Sequence, residues 1–270
     1  MESILKAIIM GIVEGFTEFL PISSTGHLIL VNHFLEMPEN FAVLFNILIQ
    51  LGAILSVVVY FRKELIPWVP SKSPVQRQEV WTIWKKTLVG VTPALIIGAL
   101  IGEFIERILF VPSVVAAALF LGGIFLVIVE RRKNPETIQS MAALTYQMAF
   151  AIGMVQCLAM IPGISRSAAT IIGAMLLGCS RTIATEFSFF LAIPTMMAAA
   201  AYQLIKNSEN TTAGDWGVLI VGCITSFLAA WAAIAFLMNY IRKNDFKIFG
   251  YYRIILGIIV IAYFTFAVTD

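Results

Sequence analysis

The chain has 270 residues, of which 60% are hydrophobic and 13% charged, with a net charge of +2 and a mean hydropathy of +0.91. Soluble domains carry roughly a quarter charged residues, so this composition excludes an ordinary soluble protein, and the lack of any basic domain excludes a nucleic-acid partner. Cys157, Cys179 and Cys223 lie in apolar sequence with no CxxC pair, which predicts buried free thiols and neither disulfides nor a zinc site.

In chain order, the first apolar run covers residues 3–36. It is interrupted by Glu14 and Glu18 and has no small-residue cleavage site after it, so a cleavable signal is not expected. A proline-centred break, LPISS, divides it. Long apolar stretches follow at 41–61, 87–102 and 111–129, and again at 186–205, 216–239 and 248–268. Each is long enough, or nearly so, to cross about 30 Å of hydrocarbon. None alternates in the manner of barrel strands, so an all-α polytopic integral membrane protein is predicted.

Lysine and arginine cluster in 62–86 (Arg62, Lys63, Lys72, Arg77, Lys85, Lys86), in 131–133 and in 242–247, whereas 103–110 has only Arg107 and 206–215 only Lys206. The positive-inside rule then places 62–86, 131–144 and 240–247 in the cytoplasm and the other two loops outside. That arrangement requires 145–180, with MIPGISRS at its centre, to enter and leave on one side as a re-entrant pair of half-helices. Residues 3–36 form a second such pair, opening from the outer face. An internal repeat agrees. At a separation of 142 residues, Gly11-Ile-Val-Glu matches Gly153-Met-Val-Gln and Ser23-Ser-Thr matches Ser165-Arg-Ser; LGGIFLVIV at 121–129 echoes LGIIVIAYF at 256–264. One membrane domain is therefore expected, with halves 1–135 and 136–270. Each half is one re-entrant helix-loop-helix plus three transmembrane helices, and the halves insert with inverted topology.

Glu14 and Glu18 are one helical turn apart on one face. An ionised group at the bilayer centre costs about 2.5–3.5 kcal/mol on insertion scales, so two together call for compensation. Shallow burial is one reading; a divalent-cation or proton-handling site is the other. After Pro21 come Ser23, Ser24, Thr25, Gly26 and His27. A serine there is an ordinary N-cap, and the helix start is also an anion cradle. Ser24 and His27, at i and i+3, are close enough for a hydroxyl and a base to cooperate. His33 has no acid near it in sequence and is expected toward the membrane edge. In the second half, Arg166 stands between Ser165 and Ser167 in a hydrophobic hairpin, with Thr170 one turn on. Its guanidinium needs an anion, either Glu14 or Glu18, or a bound phosphate that it matches bidentately. Together these residues suit phosphoryl chemistry, in which metal and Arg neutralise charge, an oriented hydroxyl attacks and an acid/base moves the proton. Transport of an anion could use the same groups.

Elsewhere, Glu103, Glu106 and Arg107 read as a solvated outer loop, and Met196, Met197 and residues 198–202 as close helix packing. Glu186 begins a span; pairing with Arg181 is one reading and a site role the other. Trp68, Trp81, Trp84 and Trp216 are expected at the interfaces.

EGFTEFLPISSTGH together with PGISRSAAT resembles the undecaprenyl-diphosphatase, or bacitracin-resistance, family, almost from end to end. The family motifs, E-x-x-x-E followed by Ser-Ser-Thr-Gly-His, and Pro-Gly-x-Ser-Arg-Ser, are filled at every position. The resemblance implies hydrolysis of undecaprenyl diphosphate to the monophosphate carrier used in cell-wall synthesis. It also implies dependence on a divalent cation, Mg²⁺ or Ca²⁺, and a site in the bacterial plasma membrane open to the periplasmic face. On that reading Ser24 attacks phosphorus and His27 is base or holds the hydroxyl. Glu14 and Glu18 carry the metal or tune His27, and Arg166 clamps the diphosphate with Ser23, Thr25, Gly26, Ser165, Ser167 and Thr170 around it. His27 or a metal-held water is the alternative nucleophile. The acid-phosphatase-like lipid phosphatases are excluded, because no Arg-Pro occurs and Ile172 stands where their histidine would follow Arg166. A transporter or flippase of the lipid carrier is the alternative function, and a homodimer is one allowed assembly.

Overall fold

The computed structural model describes residues 2–35, 39–132, 135–207 and 216–266. Residues 208–215 of the expected outer loop at 206–215, the ring of His33 and the side chain of Glu106 lie outside what it describes. Helices account for nearly all of it: α1 (Glu2–Phe19), α2 (Ser24–Leu35), α3 (Glu39–Tyr60), α4 (Arg62–Leu65), α5 (Pro74–Leu109), α6 (Pro112–Arg131), α7 (Tyr146–Gln156), α8 (Arg166–Leu176), α9 (Arg181–Asn207), α10 (Trp216–Ile241) and α11 (Lys247–Phe266). A 3₁₀ turn, Cys157–Met160, continues α7. Among the described residues the only strand-like pairing is a single parallel bridge between Ile138 and Cys179.

Each of the six predicted spans falls on one helix, and both predicted breaks are places where a helix stops. Within the described residues, Pro74–Ile105, Pro112–Arg131, Arg181–Gln203, Trp216–Ile241 and Lys247–Thr265 are long and apolar enough to cross a membrane. The protein is therefore an all-α membrane protein.

The basic segment at 62–86 is largely helical. A short helix and a turn occupy its start, and from Pro74 the chain is already in α5, which runs for 36 residues with Pro93 inside it. At 1.5 Å per residue that is about 54 Å, well beyond the hydrocarbon thickness, so Arg77 and Lys85 ride on helix that projects from the core. Buried Lys86 donates to the carbonyls of Met141 (2.9 Å) and Ala142 (3.0 Å), tying α5 to the 138–145 connection.

Close helix crossings are set by glycines, as expected where lipid supplies no hydrophobic drive and backbones must approach. Helix α1 lies on α10, and α7 lies on α5. A Cβ at Gly11 would stand 2.7 Å from the Gly222 carbonyl and one at Gly15 2.5 Å from that of Ser226; one at Gly153 would fall on the Gly90 carbonyl. Helices α6 and α11 meet in the same way through Gly123 and Gly250. Beneath the two breaks, Phe19 stacks edge-on to Phe189 with centroids 5.3 Å apart, and Phe61 does so to Phe190 at 5.3 Å. This aromatic cluster joins the ends of α1 and α3 to the middle of α9.

The Arg181–Glu186 pair is not formed. The two are five residues apart, on different faces of α9. Arg181 instead binds Glu130 at 2.6 Å and Glu136 at 3.1 Å, and Glu130 also accepts from the Phe246 N–H at 2.9 Å. All three cysteines are free, but only Cys179 is buried; Cys157 and Cys223 are half-buried. Burial pushes the Cys179 thiol up to about 11, so it is not a thiolate near neutral pH. Trp68, Trp81 and Trp216 are exposed, whereas Trp84 is half-buried and donates to the Leu65 carbonyl at 2.8 Å.

Replacing Gly153 with alanine should cost about 1–3 kcal/mol through overpacking, read as a lower thermal midpoint in detergent. Gly217→Ala, where a Cβ would meet nothing within 4 Å, should leave the midpoint unchanged. Equal midpoints for the two variants would refute glycine-set packing of α7 on α5.

Candidate active site

Both breaks are built alike. After α1 ends at Phe19, the chain turns through Leu20, Pro21 and Ile22 to Ser23, which has φ +73°; after the 3₁₀ turn it passes Gly163 to Ser165, with φ +72°. A left-handed φ is uncommon outside glycine and marks a backbone held by its surroundings. Each serine caps the helix that follows. Ser23 Oγ accepts from the Gly26 N–H at 3.4 Å and Ser165 Oγ from the Ala168 N–H at 3.3 Å. Of Ser23 and Ser24, one of which was expected to cap, Ser23 does so, and Ser24 and Arg166 each stand as the first residue of a new helix, 142 positions apart. A third contact joins the breaks directly, since Ser167 Oγ donates to the Leu20 carbonyl at 2.9 Å.

Glu18 lies between the two helix starts. Ser24 Oγ donates to Glu18 Oε2 at 2.5 Å, and Arg166 Nη2 donates to Glu18 Oε1 at 3.4 Å. The Arg166 and Glu18 side chains are only 11% and 10% exposed, so this is a shielded pair at two helix N-termini, a setting that favours negative charge. Arg166 also donates through Nη1 to the Ser188 carbonyl at 3.0 Å and lies 6.0 Å from the centre of the Phe19 ring. Thr170 Oγ1 bonds the Arg166 carbonyl at 2.9 Å and shares a 2.6 Å hydrogen bond with Ser188 Oγ, so α9 fixes both the backbone and the head of Arg166. Ser165 and Ser167 hydroxyls are 3.0 Å apart.

Glu14 is fully buried one turn before Glu18, and neither of its carboxylate oxygens has a hydrogen-bond partner. Glu18 and Arg166 are the charges that act on it. A carboxyl left bare in an apolar interior is costly, and a cation is one remedy. Among the described residues no group of three or more His, Cys, Asp or Glu gathers. Two carboxylates nevertheless fit a hard cation of the magnesium kind, which is commonly held by one or two carboxylates and completes its shell with water and substrate phosphate oxygens.

The structure does not pair Ser24 with His27. His27 Nδ1 lies 2.7 Å from the Ser23 carbonyl, and Nε2 lies 2.5 Å from the Tyr252 hydroxyl, with the two rings stacked at 5.6 Å. The base that receives the Ser24 hydroxyl is Glu18. Thr25 is half-buried beside this group, and Gly26 supplies the N–H that Ser23 caps.

Three residues had not been singled out from the sequence. Ser188 and Tyr252 carried no signal in their own segments. Arg253 did: it is a lone arginine inside the predicted span 248–268, and an ionisable residue there is a candidate by its cost alone.

A family model described as bacitracin resistance protein BacA matches residues 7–259. A protein of Limosilactobacillus fermentum described as undecaprenyl-diphosphatase is 50% identical over 271 residues, covering 98% of each chain. One of Clostridioides difficile, described as undecaprenyl-diphosphatase 1, is 47% identical over 263 residues, covering 97% of this chain and 96% of its own. One of Enterococcus faecalis, described as undecaprenyl-diphosphatase, is 45% identical over 264 residues, covering 96% of each. The chain belongs to the BacA family of bacitracin resistance proteins.

Tyr252→Phe should leave His27 Nε2 without its partner and cost about 1–3 kcal/mol, seen as a lower thermal midpoint. An unchanged midpoint would show that Tyr252 does not hold the ring.

Proposed function

We propose that the chain is a membrane-embedded phosphatase that hydrolyses undecaprenyl diphosphate to undecaprenyl phosphate and inorganic phosphate, returning the carrier to peptidoglycan synthesis and conferring bacitracin resistance. The observation that carries this reading is the chain Ser24–Glu18–Arg166 at the starts of two helices inside an apolar protein. A hydroxyl, the base that receives its proton and a guanidinium lie within one hydrogen-bonded group. A lipid diphosphate can reach such a site while its tail stays in hydrocarbon.

In this mechanism Ser24 Oγ attacks the terminal phosphorus as Glu18 takes its proton. The bond from phosphorus to the bridging oxygen breaks, and undecaprenyl phosphate leaves with that oxygen. Water then attacks the phosphoserine, the Oγ–P bond breaks, inorganic phosphate leaves and the proton returns to Ser24. Arg166, oriented by Ser188 and Thr170, exchanges its long contact with Glu18 for the phosphate oxygens. The N–H groups of α2 and α8 face the same charge. A divalent cation, Mg²⁺ or Ca²⁺, held by Glu14 and Glu18 would neutralise phosphate charge when bound. His27, held by Ser23 and Tyr252, orients the start of α2. The alternative in which a water attacks directly keeps Glu18 as base and makes Ser24 its orienting group.

We infer further that the two halves form an inverted repeat in the bacterial plasma membrane, with the site open to the periplasmic side. The like backbone conformation of Ser23 and Ser165 supports this, as does the exchange-symmetric packing of α1 on α10 and α7 on α5. The same symmetry is the observation that favours a carrier-lipid transporter as second reading.

Protein purified in detergent should release phosphate from undecaprenyl diphosphate, and chelator should abolish the release. Lipid translocation in vesicles without hydrolysis would favour the transporter. Ser24→Ala should reduce kcat by about 10³-fold or more, as loss of an attacking group does; near-normal turnover with intact folding excludes Ser24 as nucleophile. Added Mg²⁺ or Ca²⁺ should raise the thermal midpoint of the parent and not that of Glu14→Gln. An equal rise in both would remove Glu14 from the cation site.

A further inference from the structure

Among the described residues Arg253, on α11, is the largest fully buried side chain, and none of its hydrogen bonds there goes to a carboxylate. Its two terminal nitrogens donate to backbone carbonyls, while the buried Nε has no partner. Nη1 reaches Ile164 at 2.8 Å and Pro21 at 3.4 Å, and Nη2 reaches Gly163 at 3.1 Å and Ala118 at 3.2 Å. Pro21 lies in the first break, Gly163 and Ile164 in the second, and Ala118 in α6. One guanidinium thus holds three segments that are far apart in sequence.

Its charge suits that place. The carbonyls of Pro21, Gly163 and Ile164 lie between helices and have no intrahelical donor. In an apolar interior no water can satisfy them. A guanidinium is planar and has five N–H donors, so it can serve two breaks at once; an ammonium has three donors at one point. The seat is shaped as well. A Cβ added at Gly122 of α6 would collide with the guanidinium, and the three atoms nearest to it all belong to Arg253.

We propose that Arg253 is a positioning residue of the phosphatase site. It fixes the first break against the second so that Ser24 and Arg166 both reach Glu18, and Gly122 is the space its head requires. It touches none of the reacting atoms. The inference rests on the phosphatase reading.

Gly122→Ala is the sharpest test, because it keeps Arg253 and displaces only its head. Steady-state hydrolysis of undecaprenyl diphosphate and the thermal midpoint are measured on the full chain in detergent, for Gly122→Ala, Arg253→Lys, Arg253→Met and Gly122→Ala combined with Arg253→Met. A misplacement of about 1 Å can cost about 100-fold in rate, so Gly122→Ala should lower kcat about tenfold or more. KM should stay within about threefold, and the midpoint should fall, through overpacking, no further than that of Gly153→Ala. Arg253→Lys should recover part of the rate lost in Arg253→Met. With the guanidinium absent, Gly122→Ala should add less than about twofold. Parent-like kcat in both Gly122→Ala and Arg253→Lys overturns the proposal. So does a raised KM at unchanged kcat, which would make Arg253 a substrate ligand, or a loss of rate that only tracks a lowered midpoint. An inactive parent overturns the phosphatase reading together with this role, whereas an active parent with unaffected variants overturns this role alone.

Discussion

A helix that stops inside an apolar interior leaves backbone groups with no solvent to bind, and this chain does so twice. At the start of each new helix the donors are partly satisfied by a serine in a left-handed turn, Ser23 and Ser165. At the end of each old one the acceptors take Ser167 and the buried guanidinium of Arg253. Because the same few side chains serve both interruptions, the breaks are locked together rather than merely adjacent. The N–H groups that remain at the two helix starts, and the positive dipole ends behind them, favour negative charge between them.

The apolar parts of the protein act on this polar centre through position. Phe19 closes α1 immediately after Glu18 and packs on Phe189, whose neighbour Ser188 holds Arg166 and Thr170. The carboxylate and the guanidinium are thus set by one aromatic contact and one helix. The glycine crossings bring α1 and α7 close enough to their supports for the breaks to meet. Packing of this kind is tight enough that small shifts in helix position are transmitted rather than absorbed.

Much of this was legible in the sequence because it follows from local chemistry. Pro21 and the Pro162-Gly163 pair disfavour a continuing helix, and Ser23 and Ser165 are residues of a capping type, so the breaks could be placed to within a residue or two. Glu14, Glu18 and Arg166 announced themselves by the cost of charge in oil. What could not be read depends on partners distant in the chain. The i, i+3 spacing of Ser24 and His27 suggested a pair, yet the break folds Glu18 back onto Ser24 while α11 offers His27 a tyrosine hydroxyl 225 positions away. No periodicity encodes either event. Arg181 likewise chose Glu130 and Glu136 over Glu186, because side chains five residues apart do not share a face. Lysines and arginines at 72–86 marked an aqueous boundary without saying that most of it would be helix.

Ser24 and Arg166 hold the same place in two like helices and are different residues. Two identical chains meeting about an axis would have to present two serines or two arginines to whatever lay between them. Covalent union of the halves removes that restriction. It lets one helix head carry a hydroxyl and the other a guanidinium, with a single acid, Glu18, contributed by one side to both. The division of labour at the centre is therefore a consequence of the chain's being one polypeptide, a property that no association of equal subunits could acquire by mutation.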